Sequence, residues 1–334
     1  MRITLEEIAR MAGVSKATVS RVINDIPEGV SEATRQRIKR ILMELNYDPH
    51  IGIASTSNMR THCLGLIVPD ISNPFFSELA HEISNVAMEY NYSLLLGDTR
   101  YSIELECKCL SSFIAKRVDG IFLVPAFNEI RKDHGLPKKY HIPVVMLENS
   151  LDGMARCGVV VADNVDAIEQ CCRCLIQNGS NEIAFITGPV LQGAAQERLT
   201  GYEKALKRMK IRVNPELILR GDYSVNSGYR AVLELESAGA SYSAIIASND
   251  LMAIGAMHAL KELSRRVPED VEVIGIDNIF YDQYLDPPLT TIQQPSIEMG
   301  RSATRILIDT IEGRISKPVD VRLKCKLLRR KTTR

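Results

Sequence analysis

The stretch TLEEIARMAGVSKATVSRVIN, residues 4–24, decides how the rest of the chain is read. Thr4 and Glu7 stand at the spacing of a capping box, which satisfies the exposed donors of a helix start. Leu5, Ile8, Ala9 and Ala12 then fall at i, i+3, i+4 and i+7, the apolar stripe of a short packed helix. Gly13 supplies backbone for a tight turn, and Ser15 can cap a second helix. In that second helix Val19, Val22 and Ile23 point inward, while Lys16, Ala17, Thr18, Ser20 and Arg21 point outward. The outward set is small, hydroxylated or cationic. Periodicity alone is also met by an ordinary helical hairpin, but the pattern is that of a helix-turn-helix with a recognition helix.

A third helix is expected after Ser31, striped by Ile38, Ile41, Leu42 and Leu45 and ended before Pro49. Arg35, Arg37, Lys39 and Arg40 are assigned to its exposed face, either as a solvated charge run or as neighbours of phosphate. HIGIASTSNMRT, residues 50–61, is polar, weakly periodic and reads as a linker. Strand-like and helical segments alternate from there on. Strands are expected at 63–69, 93–96, 120–124, 143–147, 182–187, 217–219, 244–247 and 272–276, separated by helical segments. Such alternation means parallel sheets covered by helices. A change of rhythm near Asp163 divides the strands between two lobes, and facing strand ends imply a ligand cleft between them.

The chain has 334 residues with 41 basic and 41 acidic side chains, so DNA affinity would have to come from a local surface rather than from net charge. The opening residues lack the pattern of a secretory signal, and no apolar run is long enough to span a membrane, so a cytoplasmic location is expected. Among the eight cysteines, Cys107 with Cys109 and Cys171, Cys172 with Cys174 lack the spacing and histidines of a zinc site. They read as core packing, with a thiol sensor as the alternative. No metal or cofactor is expected. There is no Gly-x-Gly-x-x-Gly after a strand, no Walker lysine loop and no His-Glu-x-x-His, which speaks against an enzyme.

The motifs VSKATVSRVIN, NYDP, GLIVPDISNPFF, KRVDGIFLVP, VVADN, FITGP, RLTGY, SNDLMAIGA, RVPEDVEVIGIDN, DPPLTTIQQP and LLRRKTT follow one another in order. Taken together, the chain resembles the LacI/GalR family of transcription regulators over essentially its full length. The resemblance implies an N-terminal helix-turn-helix headpiece (all-α, lambda-repressor-like) over residues 1–48 and a hinge linker over 49–60. An α/β periplasmic-binding-protein-like (type I) two-lobe core would fill 61–334. Chain crossings are placed near Val161, within 278–290 and near Pro318, which gives lobe one 61–161 and 291–318, and lobe two 162–290 and 319–334. With no leucine-heptad tail after LLRRKTTR, a homodimer on a near-palindromic operator is expected.

By the same resemblance Lys16, Ala17 and Arg21 read bases, and Thr4, Ser15, Thr18, Ser20 and Asn24 suit phosphates. Arg198, Asn249 and Asp277 are the implied polar effector contacts, with Phe75, Phe76 and Tyr223 as flat walls. Gln192, Gln293, Glu148 and Asp98 are weaker candidates. This chemistry suits a polyhydroxylated effector, since carboxylates accept from hydroxyls while arginine and amides donate. A sugar or sugar derivative is favoured over a purine, because Gln192 and Ala194 replace the arginine and threonine of the purine repressor. For Asp277 the plainer alternative is a turn anchor.

The hinge departs from the family. His50, Ile53, Ala54 and Thr56 stand where asparagine, alanine, arginine and leucine are usual, and Gly52 disfavours a helix by about 1 kcal/mol. Less operator bending or weaker coupling is therefore expected. The alternatives to a repressor are a sugar-binding protein with non-standard DNA coupling, a periplasmic binding protein and a Rossmann-like enzyme.

Overall fold

The structure is a computed structural model that describes residues 5–23, 26, 29–45, 60–128, 131–149, 151, 153–189 and 193–334. It divides into two compact units, Met1–Thr61 and His62–Arg334.

The first unit is a three-helix headpiece: α1 (Leu5–Ala12), α2 (Lys16–Ile23) and α3 (Glu32–Glu44). Gly13 takes φ +62° at the turn between the first two, a conformation glycine adopts without strain. Ile8, Ala9, Ala12, Val19, Val22 and Ile38 form the buried core, with Leu5, Ile23, Ile41, Leu42 and Leu45 packed around it. Ser31 caps α3 by accepting from the Thr34 N–H. Arg35 corrects the expected exposed face. It is buried, and its guanidinium donates to the Ile26 carbonyl at 2.6 Å, tying α3 to the loop after α2. Its long side chain satisfies a loop carbonyl, so it leaves the charged surface to Arg37, Lys39 and Arg40.

The second unit carries twelve strands among the described residues: β1 (Cys63–Val68), β2 (Ser93–Asp98), β3 (Gly120–Leu123), β4 (Val144–Leu147), β5 (Gly158–Ala162), β6 (Ile183–Thr187), β7 (Ile218–Arg220), β8 (Ala244–Ala247), β9 (Glu272–Asp277), β10 (Thr290–Gln293), β11 (Val319–Leu323) and β12 (Lys326–Leu328). Its helices are α4 (Pro74–Glu89), α5 (Ile103–Ala115), α6 (Leu136–Lys139), α7 (Asn164–Gln177), α8 (Gly193–Arg208), α9 (Val225–Ser237), α10 (Asp250–Glu262) and α11 (Ser296–Ile311).

The strands form two six-stranded sheets, in the orders β11-β5-β4-β3-β1-β2 and β12-β10-β9-β8-β6-β7. Pairing is parallel throughout except for β12 against β10. Strands β3, β4, β6, β8 and β9 are buried along their whole length, as parallel strands covered on both faces must be.

The chain passes between sheets after Ala162, at Gln294–Pro295 and at Lys324–Cys325. The second and third passages lie beyond the expected 278–290 and Pro318. Thr290–Gln293 is β-branched enough to add a strand beside β9, with Thr290 opposite Ile274, before the chain leaves. Val319–Leu323 pairs with β5 in the first sheet rather than beginning the second. Helix α11 returns to lobe one, where Arg301 meets Glu82 at 2.7 Å and Ser296 donates to Glu78 at 2.9 Å. Cys171, Cys172, Cys174 and Cys325 are free and buried in the main core, and burial pushes the Cys172 and Cys325 thiols up to about 12. No helix among the described residues is long and apolar enough to cross a membrane.

Candidate functional site

The headpiece presents one polar face. Ser15 opens α2, its hydroxyl accepting from the Thr18 N–H at 3.1 Å and lying 2.9 Å from the Thr18 hydroxyl. Lys16, Ala17 and Arg21 are exposed, and Thr18 and Ser20 half-buried, while Val19 and Val22 face the core. Lys16 lies 3.5 Å from Glu6, an exposed pair of little energetic consequence. The Arg21 guanidinium lies where a β-carbon on Gly29 would fall. Thr4, Asn24 and the hinge positions from His50 to Thr56 lie outside the described residues.

In the core, the carboxyl ends of the two sheets gather buried polar side chains. Arg198 of α8 is 3% exposed. Its Nε donates to Asn164 Oδ1 at 2.8 Å, Nη1 donates to the Ser248 carbonyl at 2.6 Å, and Nη2 lies 3.7 Å from Glu148. Glu148 follows β4 in lobe one, so this pair bridges the lobes. Burial pushes the Glu148 carboxyl above the ordinary carboxylate range, opposed by Arg198. Asp277 ends β9, and its Oδ1 accepts from Gln294 Nε2 at 2.8 Å. Burial, then the neighbouring Asp250, pushes Asp277 well up, with Arg198 pulling the other way. Tyr223 is buried, stacks on Tyr101 with centroids 6.0 Å apart, and has its phenol pushed up to about 12 by burial.

Arg198, Tyr223 and Asp277, assigned together from the sequence, are therefore neighbours, and Glu148 joins them. Asn249 is used differently. Its Oδ1 caps α10 by accepting from the Met252 N–H at 2.9 Å, and its Nδ2 donates to the Tyr223 carbonyl at 3.0 Å. Phe75 and Phe76 sit at the start of α4, 5.2 Å apart edge to face, and belong to the main core cluster. Asp98 receives the Arg100 N–H at the end of β2. Gln293 is exposed; Gln294, one residue on, is the buried amide that meets Asp277. Gln192 lies outside the described residues.

Four cleft residues escaped the sequence reading: Tyr101, Thr187, Ser248 and Gln294. Tyr101 and Arg100 both adopt positive φ, +53° and +49°, in the turn after β2 that carries Tyr101 to Tyr223. The turn residues of that loop gave no signal, because neither is glycine or asparagine. Buried Glu148 Oε1, Thr187 Oγ1, Ser248 Oγ and Gln294 Oε1 have no hydrogen-bond partner within the protein. Buried polar atoms are ordinarily paired, so such a group of orphans at strand ends is fit to meet a polar ligand. No group of three metal-ligating side chains occurs among the described residues.

Residues 4–50 match the model for bacterial regulatory proteins of the lacI family, and residues 172–333 match the periplasmic binding protein-like domain. The chain is 33% identical over 331 residues to the HTH-type transcriptional repressor CytR of Escherichia coli (strain K12), covering 99% of this chain and 96% of that one. It is 34% identical over 313 residues to the HTH-type transcriptional repressor PurR of Aliivibrio fischeri (strain MJ11), covering 93% and 92%. Among solved structures, the transcriptional regulator CelR–cellobiose complex matches with a TM-score of 0.74 at 33% identity, over 99% of this chain and 100% of that one.

Proposed function

The chain belongs to the lacI family of bacterial regulatory proteins, and from that premise we propose that it represses transcription as a dimer on a near-palindromic operator. A small polyhydroxylated molecule, a sugar or sugar derivative, sets its operator affinity from the cleft between the lobes. In this reading Lys16, Ala17 and Arg21 face the major groove, and Thr4, Ser15, Thr18, Ser20 and Asn24 hold phosphates. The supporting observation for the effector site is the convergence of Arg198, Asp277, Glu148 and Tyr223 with the unpaired oxygens of Thr187, Ser248 and Gln294. Arg198 is anchored to Asn164 and to the Ser248 carbonyl, so it shapes the site, while Asp277 and the hydroxyls engage ligand hydroxyls. Tyr101 and Tyr223 supply the flat surface, and Asn249 fixes the backbone that carries Tyr223.

Dimerisation has its own support. Phe280, Tyr281 and Tyr284 are 67%, 59% and 68% exposed and cluster on one short 3-10 helix. The chain runs from them to Leu285, which with Ile254, Met257 and Pro287 lines a groove of about 530 Å³. Exposed aromatic side chains clustered in this way fit a protein interface.

The decisive experiment is a thermal-shift screen of sugars, nucleosides and sugar phosphates on the full chain. A ligand at 100 times its Kd stabilises by about 2.7 kcal/mol. Asp277→Ala abolishes the shift; a ligand that stabilises wild type and Asp277→Ala equally places the site elsewhere. DNA selected from a randomised pool then reports, by gel shift, whether that ligand tightens or releases operator binding.

A further inference from the structure

The segment that leaves the cleft at Asp277 is held in a strained shape. Asp277 and Asn278 have φ of +129° and +63°, rare for residues other than glycine and stable only where neighbours impose them. Asp250, at the start of α10 and fully buried, imposes this shape. Its Oδ2 accepts from the Ile279 N–H at 3.0 Å and its Oδ1 from the Thr291 hydroxyl at 2.6 Å. The same Thr291 oxygen accepts from the Asn278 N–H at 3.3 Å. From the C-terminal segment, Arg330 donates to Asn278 Oδ1 at 2.5 Å and to the Leu289 carbonyl at 2.7 Å.

Asp282 completes the arrangement. It lies in the 3-10 helix Phe280–Tyr284 and is fully buried, although the three aromatic residues of that helix are exposed. Neither of its carboxyl oxygens meets an N–H or O–H donor of the protein, and its carboxyl touches that of Asp250. Two carboxylates cannot hydrogen-bond each other unless one holds a proton. Asp250 already accepts two hydrogen bonds, so it is the better anion.

We infer that Asp282 is a neutral carboxylic acid that donates to the Asp250 carboxylate, and that this buried pair is a positioning device joining effector residue Asp277 to the aromatic face at Phe280–Tyr284. The charged groups around the pair agree. Burial leads in pushing the Asp282 carboxyl up to about 10, Asp250 from α10 and Asp277 from β9 add to it, and Arg330 opposes them. The reach to Asp277 rests on the cleft reading above, but the acid–carboxylate pair does not.

The sign of the pH effect follows from linkage. Unfolded, Asp282 ionises near about 3.9; folded, it holds its proton to about 10. A raised folded value gives stability that is fully present below the unfolded value and is lost as pH climbs through that window. Asparagine at 282 keeps an N–H donor and has no proton to lose. Asp282→Asn therefore raises Tm at pH 8 by about 2 °C or more and flattens the Tm–pH profile.

The test uses the full chain. Infrared spectroscopy at pH 7.5 shows the carbonyl stretch of a protonated carboxylic acid, and Asp282→Asn lowers its intensity. Asp282→Ala, which leaves Asp250 without its donor, lowers Tm, and Asp282→Asn rescues it. Hydrogen exchange of peptide 277–284 is fast in Asp250→Asn and as slow as wild type in Asp282→Asn. A missing acid band, an Asp282→Asn protein no more stable at pH 8 than Asp282→Ala, or unchanged exchange in Asp250→Asn overturns the inference. These readouts need neither effector nor operator, so failure of the effector reading leaves them intact.

Discussion

In the proposed function, DNA discrimination turns on Arg21. It is exposed on α2, with its guanidinium beside Gly29, and can give one guanine two parallel hydrogen bonds. Ala17 offers only apolar contact, and Lys16 a single point charge already near Glu6. Arg21→Ala should cost about 1–3 kcal/mol of preference for the selected operator over random DNA. Salt-sensitive nonspecific binding should survive, because phosphate contacts carry it. Competition gel shifts check this, and undiminished operator preference in the mutant removes Arg21 from base reading. Asp277 and Arg198 were picked through the family resemblance, and both are buried among polar neighbours at the strand ends. Gln294 was missed in favour of Gln293 because only strand pairing reveals which of two adjacent amides turns inward.

At the scale of elements, α9 and α10 show why certain small residues are placed where they are. They approach backbone to backbone, so a β-carbon on Gly228 would strike the Met252 carbonyl and one on Gly255 the Val225 carbonyl. Gly255→Ala gains helix propensity in principle, yet here the overlap dominates, and the core should lose about 1–3 kcal/mol. Urea unfolding measures it; an unchanged or raised midpoint contradicts the close approach. Most helices and eight of the twelve described strands, the edge strands β2 and β7 among them, were legible, because parallel strands read as apolar runs and helices keep their stripe. The strands beside the passages between lobes, β5, β10, β11 and β12, were not. In β11 exposed residues alternate with half-buried ones, and β12 is three residues long, so their sheet assignment depends on partners distant in sequence. That is why two of the three passages between lobes were placed too early.

For the whole molecule, the exposed aromatic trio is the feature most in need of a partner. Replacing Phe280 and Tyr284 together with serine should shift the protein toward monomer in sedimentation, with Tm falling less than for a core substitution because both side chains face solvent. A double mutant that stays dimeric moves the interface off this face. The order in which the sheets are completed has a separate consequence. The headpiece needs only contacts among its three neighbouring helices, and local contacts form fast. The first sheet lacks its edge until Val319–Leu323 pairs with Gly158–Ala162, and the second until Lys326–Leu328 pairs with Thr291–Gln293. During synthesis at about 5–20 residues per second, the DNA reader can therefore be folded on the ribosome well before either lobe of the sensor is closed. Residues 319–328, which carry β11 and β12, finish both lobes almost at once, so a chain lacking them would keep its three-helix headpiece and leave both sheets of the core without an edge strand.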